Sequence, residues 1–149
     1  MKRVLIAYFS LTGNTEKMAQ FVAEGVRFSG QQAFIKKISE INTVDDLNGY
    51  DGYIFGSPTY HRDAPETFKT FLFFARKGDL AGKLAGTFGS YTHSGDAPGL
   101  VFETMQYVYK MIPFKLSSFR LKDEMLGNPE GMRACQDYGR VFGEEVEKC

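Results

Sequence analysis

The sequence predicts a doubly wound α/β fold, a five-stranded parallel sheet with helices on both faces. Three observations lead there. Apolar runs of strand length alternate with longer amphipathic segments, which is the sequence form of repeated βαβ units. The first run, Val4-Leu5-Ile6-Ala7-Tyr8, is almost wholly apolar, as a strand covered on both faces should be, and is the candidate for the sheet centre. No internal repeat, low-complexity tract or Pro/Ser-rich linker interrupts the pattern, so residues 1–149 are expected to form a single domain.

Strands are expected at residues 3–9, 33–37, 52–56, 84–90 and 115–119. Helices are expected at 13–29, 64–77, 98–112 and 129–148, with a further short one at 43–48. In the first helix Met18, Phe21, Val22 and Val26 recur at helical spacing. Thr, Asp, Pro or Asn stands at the start of each helix, the usual N-terminal signal.

Composition narrows the function classes. Eighteen basic and eighteen acidic side chains cancel, so no global field favours nucleic acid or an anionic membrane surface. The apolar run at the start is too short for a signal peptide and no stretch reaches bilayer length, so a cytoplasmic protein is expected. Cys135 and Cys149 form no CxxC pair and lie far from either histidine, which speaks against zinc and against dithiol chemistry.

In a doubly wound sheet, ligands bind beyond the carboxyl ends of the strands, so the loops after strands one, three and four are where chemistry should concentrate. The first loop is Ser10-Leu11-Thr12-Gly13-Asn14-Thr15. It brings three hydroxyls, an amide and a flexible glycine to the positive end of a helix, a site that can bind phosphate without a basic side chain. It lacks the lysine of a Walker A loop and the three glycines of a dinucleotide fingerprint. Taken alone, it could also be a helix capped by Thr12 or Asn14, the lesser of the two readings.

The second loop is Gly56-Ser57-Pro58-Thr59-Tyr60-His61-Arg62-Asp63, in which Tyr60 could cover a planar ring or simply edge the core. The third is Gly89-Ser90-Tyr91-Thr92-His93-Ser94-Gly95, with glycines that let backbone approach a ligand and Tyr91 or His93 to stack on it or bond its edge. His93 could also be a plain solvated loop residue. A signalling receiver domain shares the architecture but needs acidic residues after strand one and a phosphorylatable aspartate after strand three; Ser10 and Ser57-Pro58-Thr59 stand there instead.

These three loops together resemble the flavodoxin family, in a short-chain form, over essentially the full length. The second and third loops are most similar to those of the flavodoxin-like domain of flavo-diiron proteins, except that His93 stands where that group usually has tryptophan. The resemblance implies sheet order 2-1-3-4-5 and non-covalently bound FMN. Ser10, Leu11, Thr12, Gly13, Asn14 and Thr15 would lie at its phosphate. Pro58, Thr59, Tyr60 and His61 would line one side of the isoalloxazine, and Ser90, Tyr91, Thr92, His93 and Gly95 the other.

A free-standing electron carrier, monomeric or weakly dimeric, is the implied function. Its partners would be redox proteins: a reductase or ferredoxin-like donor and an acceptor enzyme. The alternative on this scaffold is an FMN-dependent NAD(P)H:quinone-type oxidoreductase, with Tyr91 or His93 as proton donor. Two departures from the family matter. The chain is neutral where typical flavodoxins are acidic, and His61 and Arg62 sit beside the expected ring position. A unit charge ~10 Å away at an effective dielectric of ~20 is worth ~1.7 kcal/mol, so local basic residues can shift a flavin potential. His61 also replaces a glycine whose peptide can turn over on reduction in many flavodoxins, and a side chain there should make positive φ costlier.

Overall fold

The computed structural model describes residues 1–149. Strand β1 (Arg3–Tyr8) lies between β2 (Gln32–Lys37) and β3 (Gly52–Gly56), followed by β4 (Leu84–Tyr91) and β5 (Ile112–Lys122), all parallel, in the order β2-β1-β3-β4-β5. The expected sheet order is therefore the one observed. Successive side chains of β1 point to opposite faces. Val4, Ile6 and Tyr8 join one buried cluster, while Leu5 and Ala7 join the other. The clusters hold eighteen and nineteen buried residues, so neither face is the exposed one.

Helices α1 (Asn14–Phe28) and α5 (Pro129–Glu147) cover the Val4 face. They approach so closely that a Cβ on Gly139 would stand 2.0 Å from the carbonyl oxygen of Val22, and one on Gly25 would stand 1.9 Å from that of Gln136. Helices α2 (Val44–Leu47), α3 (Glu66–Ala75) and α4 (Ala97–Glu103) serve the other face. The short α2 is held by Thr43, whose hydroxyl accepts the Asp46 N–H while Asp46 returns bonds to the Thr43 and Asn42 N–H groups. Those two bonds hold the Asp46 carboxyl below its ordinary pKa.

The region between α4 and β5 departs from expectation. The helix expected to run to residue 112 stops being regular after Glu103, continues as one wide turn over Thr104–Val108, and ends where Lys110 takes a φ of 59°. Met105 and Tyr109 are buried at helical spacing, so the apolar pattern reads on past the true end. Pro113 was the stop signal, since the residue before a proline disfavours helix. Strand β5 is then eleven residues rather than five, and Pro113 is tolerated because β5 pairs only with β4 and forms a sheet edge.

Within β5, Ser117 has a φ of 52°, and the β4–β5 register shifts between Ala85 and Thr87. The Tyr138 hydroxyl of α5 repairs the gap, accepting from the Thr87 N–H at 3.1 Å and donating to the Ser117 carbonyl at 2.5 Å. Short 3₁₀ turns at Ile38–Glu40 and Asp123–Gly127 complete the chain.

Candidate functional site

Loop one leaves β1 at Tyr8 and enters α1 at Asn14. Gly13 makes the bend at φ 91°, a left-handed conformation that costs glycine nothing sterically, and donates its N–H to the Ser10 hydroxyl at 3.0 Å. No side chain caps α1, so neither Thr12 nor Asn14 has the capping role that the loop alone allowed. The N–H groups of Asn14, Thr15 and Glu16 consequently have no protein acceptor, and they lie at the positive end of a fifteen-residue helix.

Thr15 is buried and its hydroxyl lies 3.1 Å from that of Ser90, also buried, at the end of β4. Loops one and three are thereby joined beneath the mouth of the site. The one carboxylate in this turn, Glu16, is engaged elsewhere, accepting the Tyr8 hydroxyl at 2.7 Å. What remains is a set of N–H and hydroxyl donors suited to an anion.

Loop two leaves β3 through Ser57, whose N–H bonds the Phe88 carbonyl and whose hydroxyl bonds that of Pro58; both residues are buried. Tyr60 and Asp63 then exchange both backbone bonds, at 2.8 and 3.0 Å, around a two-residue turn with His61 at φ 51° and Arg62 at φ 63°. Left-handed φ at both central residues is the type I′ pattern, which ordinarily selects Asn and Gly. The turn is tied down on two sides. Arg62 Nε lies 3.1 Å from Asp96 Oδ2 of loop three, and Asp63 pairs with Lys69 of α3. Lys69 holds the Asp63 carboxyl below its usual pKa and is itself raised by that contact. Arg62, expected to act as a free positive charge near the ring, is instead largely offset by Asp96.

Loop three runs from Tyr91 to Asp96. Its backbone is joined to loop two where the Ala97 N–H donates to the Thr59 hydroxyl at 3.0 Å. Gly95 is buried, fitted between the Tyr91 ring and the Arg120 side chain. His61 and His93 are both exposed, Tyr60 and Tyr91 half-buried.

Sequence reasoning missed a residue beyond these loops. Thr92 donates its hydroxyl to Asp123 Oδ2 at 2.8 Å, and Asp123 Oδ1 is buried without any partner. Asp123 follows β5, whose end also reaches this rim of the sheet. Considering four strand ends rather than three would have found it. Burial first, and then the Asp123 charge, push the Tyr60 phenol above its ordinary pKa, so Asp123 and Tyr60 face the same space. Leu11 is 68 % exposed and lines a cavity together with Ser10, Thr12 and Gly13 of the same loop.

The family model for flavodoxin matches residues 6–125. The chain belongs to the flavodoxin family. A putative diflavin flavoprotein A 4 from Synechocystis sp. is 37% identical over 147 residues, covering 97% of this chain and 24% of that protein. The Nostoc sp. protein of the same description is 29% identical over 150 residues, covering 97% and 25%. The chain thus spans about a quarter of the length of the curated relatives it matches.

Among solved structures, an archaeal flavodoxin superposes with a TM-score of 0.85 at 22% identity, covering 97% of this chain and 99% of the other. The Flv1 flavodiiron core from Synechocystis gives 0.82 at 25%, covering 99% and 36%. Oxidised Flavodoxin 1 of Bacillus cereus gives 0.81 at 26%, covering 95% and 97%. As a flavodoxin the chain is a flavin-binding protein with FMN as its cofactor. Its residues fit that group: the uncapped α1 terminus and the hydroxyls around it match a phosphate, and the one carboxylate of that turn, Glu16, accepts the Tyr8 hydroxyl. No helix is long and apolar enough to cross a membrane.

Proposed function

We propose that residues 1–149 act as one electron-carrying unit between redox partner proteins, with FMN held by the donor set of loop one. The observation that carries this reading is the uncapped N-terminus of α1, with three N–H groups that have no protein acceptor and a Thr15 hydroxyl joined to that of Ser90. Ser10, Thr12, Gly13, Asn14 and Thr15 would hold the phosphate. Pro58, Thr59, Tyr60 and His61 would flank the ring on one side, and Ser90, Tyr91, Thr92, His93 and Gly95 on the other.

Bound FMN supplies the redox chemistry. The protein's part is to bind, orient and shield. The Thr59–Ala97 bond and the Arg62–Asp96 pair hold loops two and three at a fixed separation, which supports a preformed slot rather than one assembled on binding. Around the slot, Arg62 pairs with Asp96 and Asp63 with Lys69, while the Asp123 carboxylate acts on Tyr60. That arrangement opposes extra negative charge on the ring and so supports low-potential electron transfer.

The test is the absorption spectrum of the purified protein, followed by FMN titration of the stripped form and addition of NAD(P)H with a quinone. Stoichiometric FMN uptake with no steady-state NAD(P)H oxidation is expected. A protein that takes up no FMN ends this reading, and rapid NAD(P)H turnover would replace the carrier with an oxidoreductase.

A further inference from the structure

Strand β5 forms one edge of the sheet and pairs with β4 alone. An edge strand turns a row of backbone N–H and C=O groups outward, a template for another strand, and proteins ordinarily blunt it with proline, a bulge or charge. The first half of β5 has two of these devices. Pro113 removes a donor, and the bulge at Ser117 breaks the ladder. The second half has neither. From Ser118 to Lys122 the register on β4 runs without interruption, from Thr87 to Tyr91, and no backbone-to-backbone bond of this stretch reaches beyond β4.

What guards that half is charge of a single sign. Lys110, Lys115, Arg120 and Lys122 are the basic residues between positions 110 and 122, no acidic residue stands among them, and none of the four forms an ion pair. The nearest acids in sequence, Asp123 and Glu124, follow the strand, and Asp123 is engaged by the Thr92 hydroxyl at 2.8 Å. Such an edge repels a second copy of itself, because like charges facing one another across strands destabilise the pair. It admits a strand of opposite sign.

The side chains set the pattern such a strand must have. Phe119 and Leu121 are half-buried against the core cluster under α5, so Arg120 and Lys122 lie on the opposite face of the sheet. Beside β5, Leu116, Phe119, Ala134 and Val141 line an apolar cavity of about 220 Å³. Its one carboxylate, Asp137, stands 3.8 Å from Arg140. An added strand, with its period of two, meets Phe119, Leu121 and this cavity with one face and the two cations with the other. We propose that the free edge of β5 at Ser118–Lys122 docks an extended segment of a partner protein in which acidic and apolar residues alternate, added to the sheet as a further strand.

The test uses FMN-loaded protein and three rhodamine-labelled octapeptides: alternating glutamate and valine, alternating lysine and valine, and the glutamate peptide with two central valines replaced by proline. Fluorescence anisotropy reads binding, and amide shifts and hydrogen exchange read its place. One glutamate peptide per chain is expected, with amides of Ser118–Lys122 shifted and protected. The lysine peptide should bind more weakly because its charge is wrong, and the proline peptide because it cannot complete the ladder. Lys122→Glu should weaken the glutamate peptide about fivefold, the worth of an exposed charge pair, and strengthen the lysine peptide. If that variant fails to fold, the three peptides on the parent chain still decide. Equal binding of the glutamate and lysine peptides, full affinity of the proline peptide, shifts confined to other elements, or absence of saturable binding overturns the proposal. Dimerisation of the free protein through β5 overturns it too, by making a second copy the occupant. Should the protein refuse FMN yet bind the glutamate peptide on β5, the carrier reading falls and this one stands.

Discussion

Replacing Tyr138 by Phe removes one oxygen atom and keeps the ring that Phe114 meets edge-on at 5.2 Å and Phe119 stacks on at 5.3 Å. The packing is thus held constant while the bridge across the β4–β5 bulge is cut. Two groups lose their partner, but not equally. The Ser117 carbonyl belongs to an exposed residue on the sheet edge and can turn to water, whereas Thr87 is fully buried and its N–H cannot. A buried donor left unsatisfied costs about 1–3 kcal/mol, so the variant should lose roughly 2 kcal/mol. For a chain of this size each kcal/mol lowers Tm by about 2–4 °C, giving a drop of about 4–8 °C. Urea unfolding of the stripped protein, followed by far-UV circular dichroism, reads the same loss as a lower midpoint at unchanged slope. A loss below about 0.5 kcal/mol would refute the reasoning, because it would mean that the Thr87 N–H finds another partner and the bulge needs no bridge.

Other perturbations address the site. His61→Gly relieves a left-handed side chain worth about 1–2 kcal/mol while adding about 0.5–1 kcal/mol of unfolded-chain freedom, so a small net stabilisation in thermal melts is expected; a clear destabilisation would show that the turn is not strained. Thr15→Val leaves the Ser90 hydroxyl without its partner and removes one donor from the anion site, and FMN should bind about tenfold more weakly by flavin fluorescence quenching. Affinity within twofold of the parent would move the phosphate away from α1. Of the two thiols, only Cys149 should react promptly with a disulfide reagent at pH 8, because burial pushes the Cys135 thiol up to about 12. Two fast equivalents in the native protein would contradict that burial.

The amino-acid sequence by itself determined the architecture, because apolar periodicity and loop chemistry are local properties. Val4–Tyr8 reads as a two-faced central strand wherever it is met, and Ser10–Thr15 reads as an anion loop opening a helix. The same local reading went astray at residues 98–122. There buried Met105 and Tyr109 keep helical spacing past the true helix end, and an edge strand carrying Pro113 and a bulge hides its length.

Only the tertiary structure decided what distant segments do to one another. Arg62 is a free cation in the sequence and half of an ion pair once Asp96 is brought to it from another loop. Asp123 carries no motif at all, and it joins the site because β5 lies beside β4 and ends next to Thr92. Pairing, burial and cavity shape depend on separations in space that no local pattern encodes, and those are the properties that distinguish this flavodoxin's site from a generic phosphate loop.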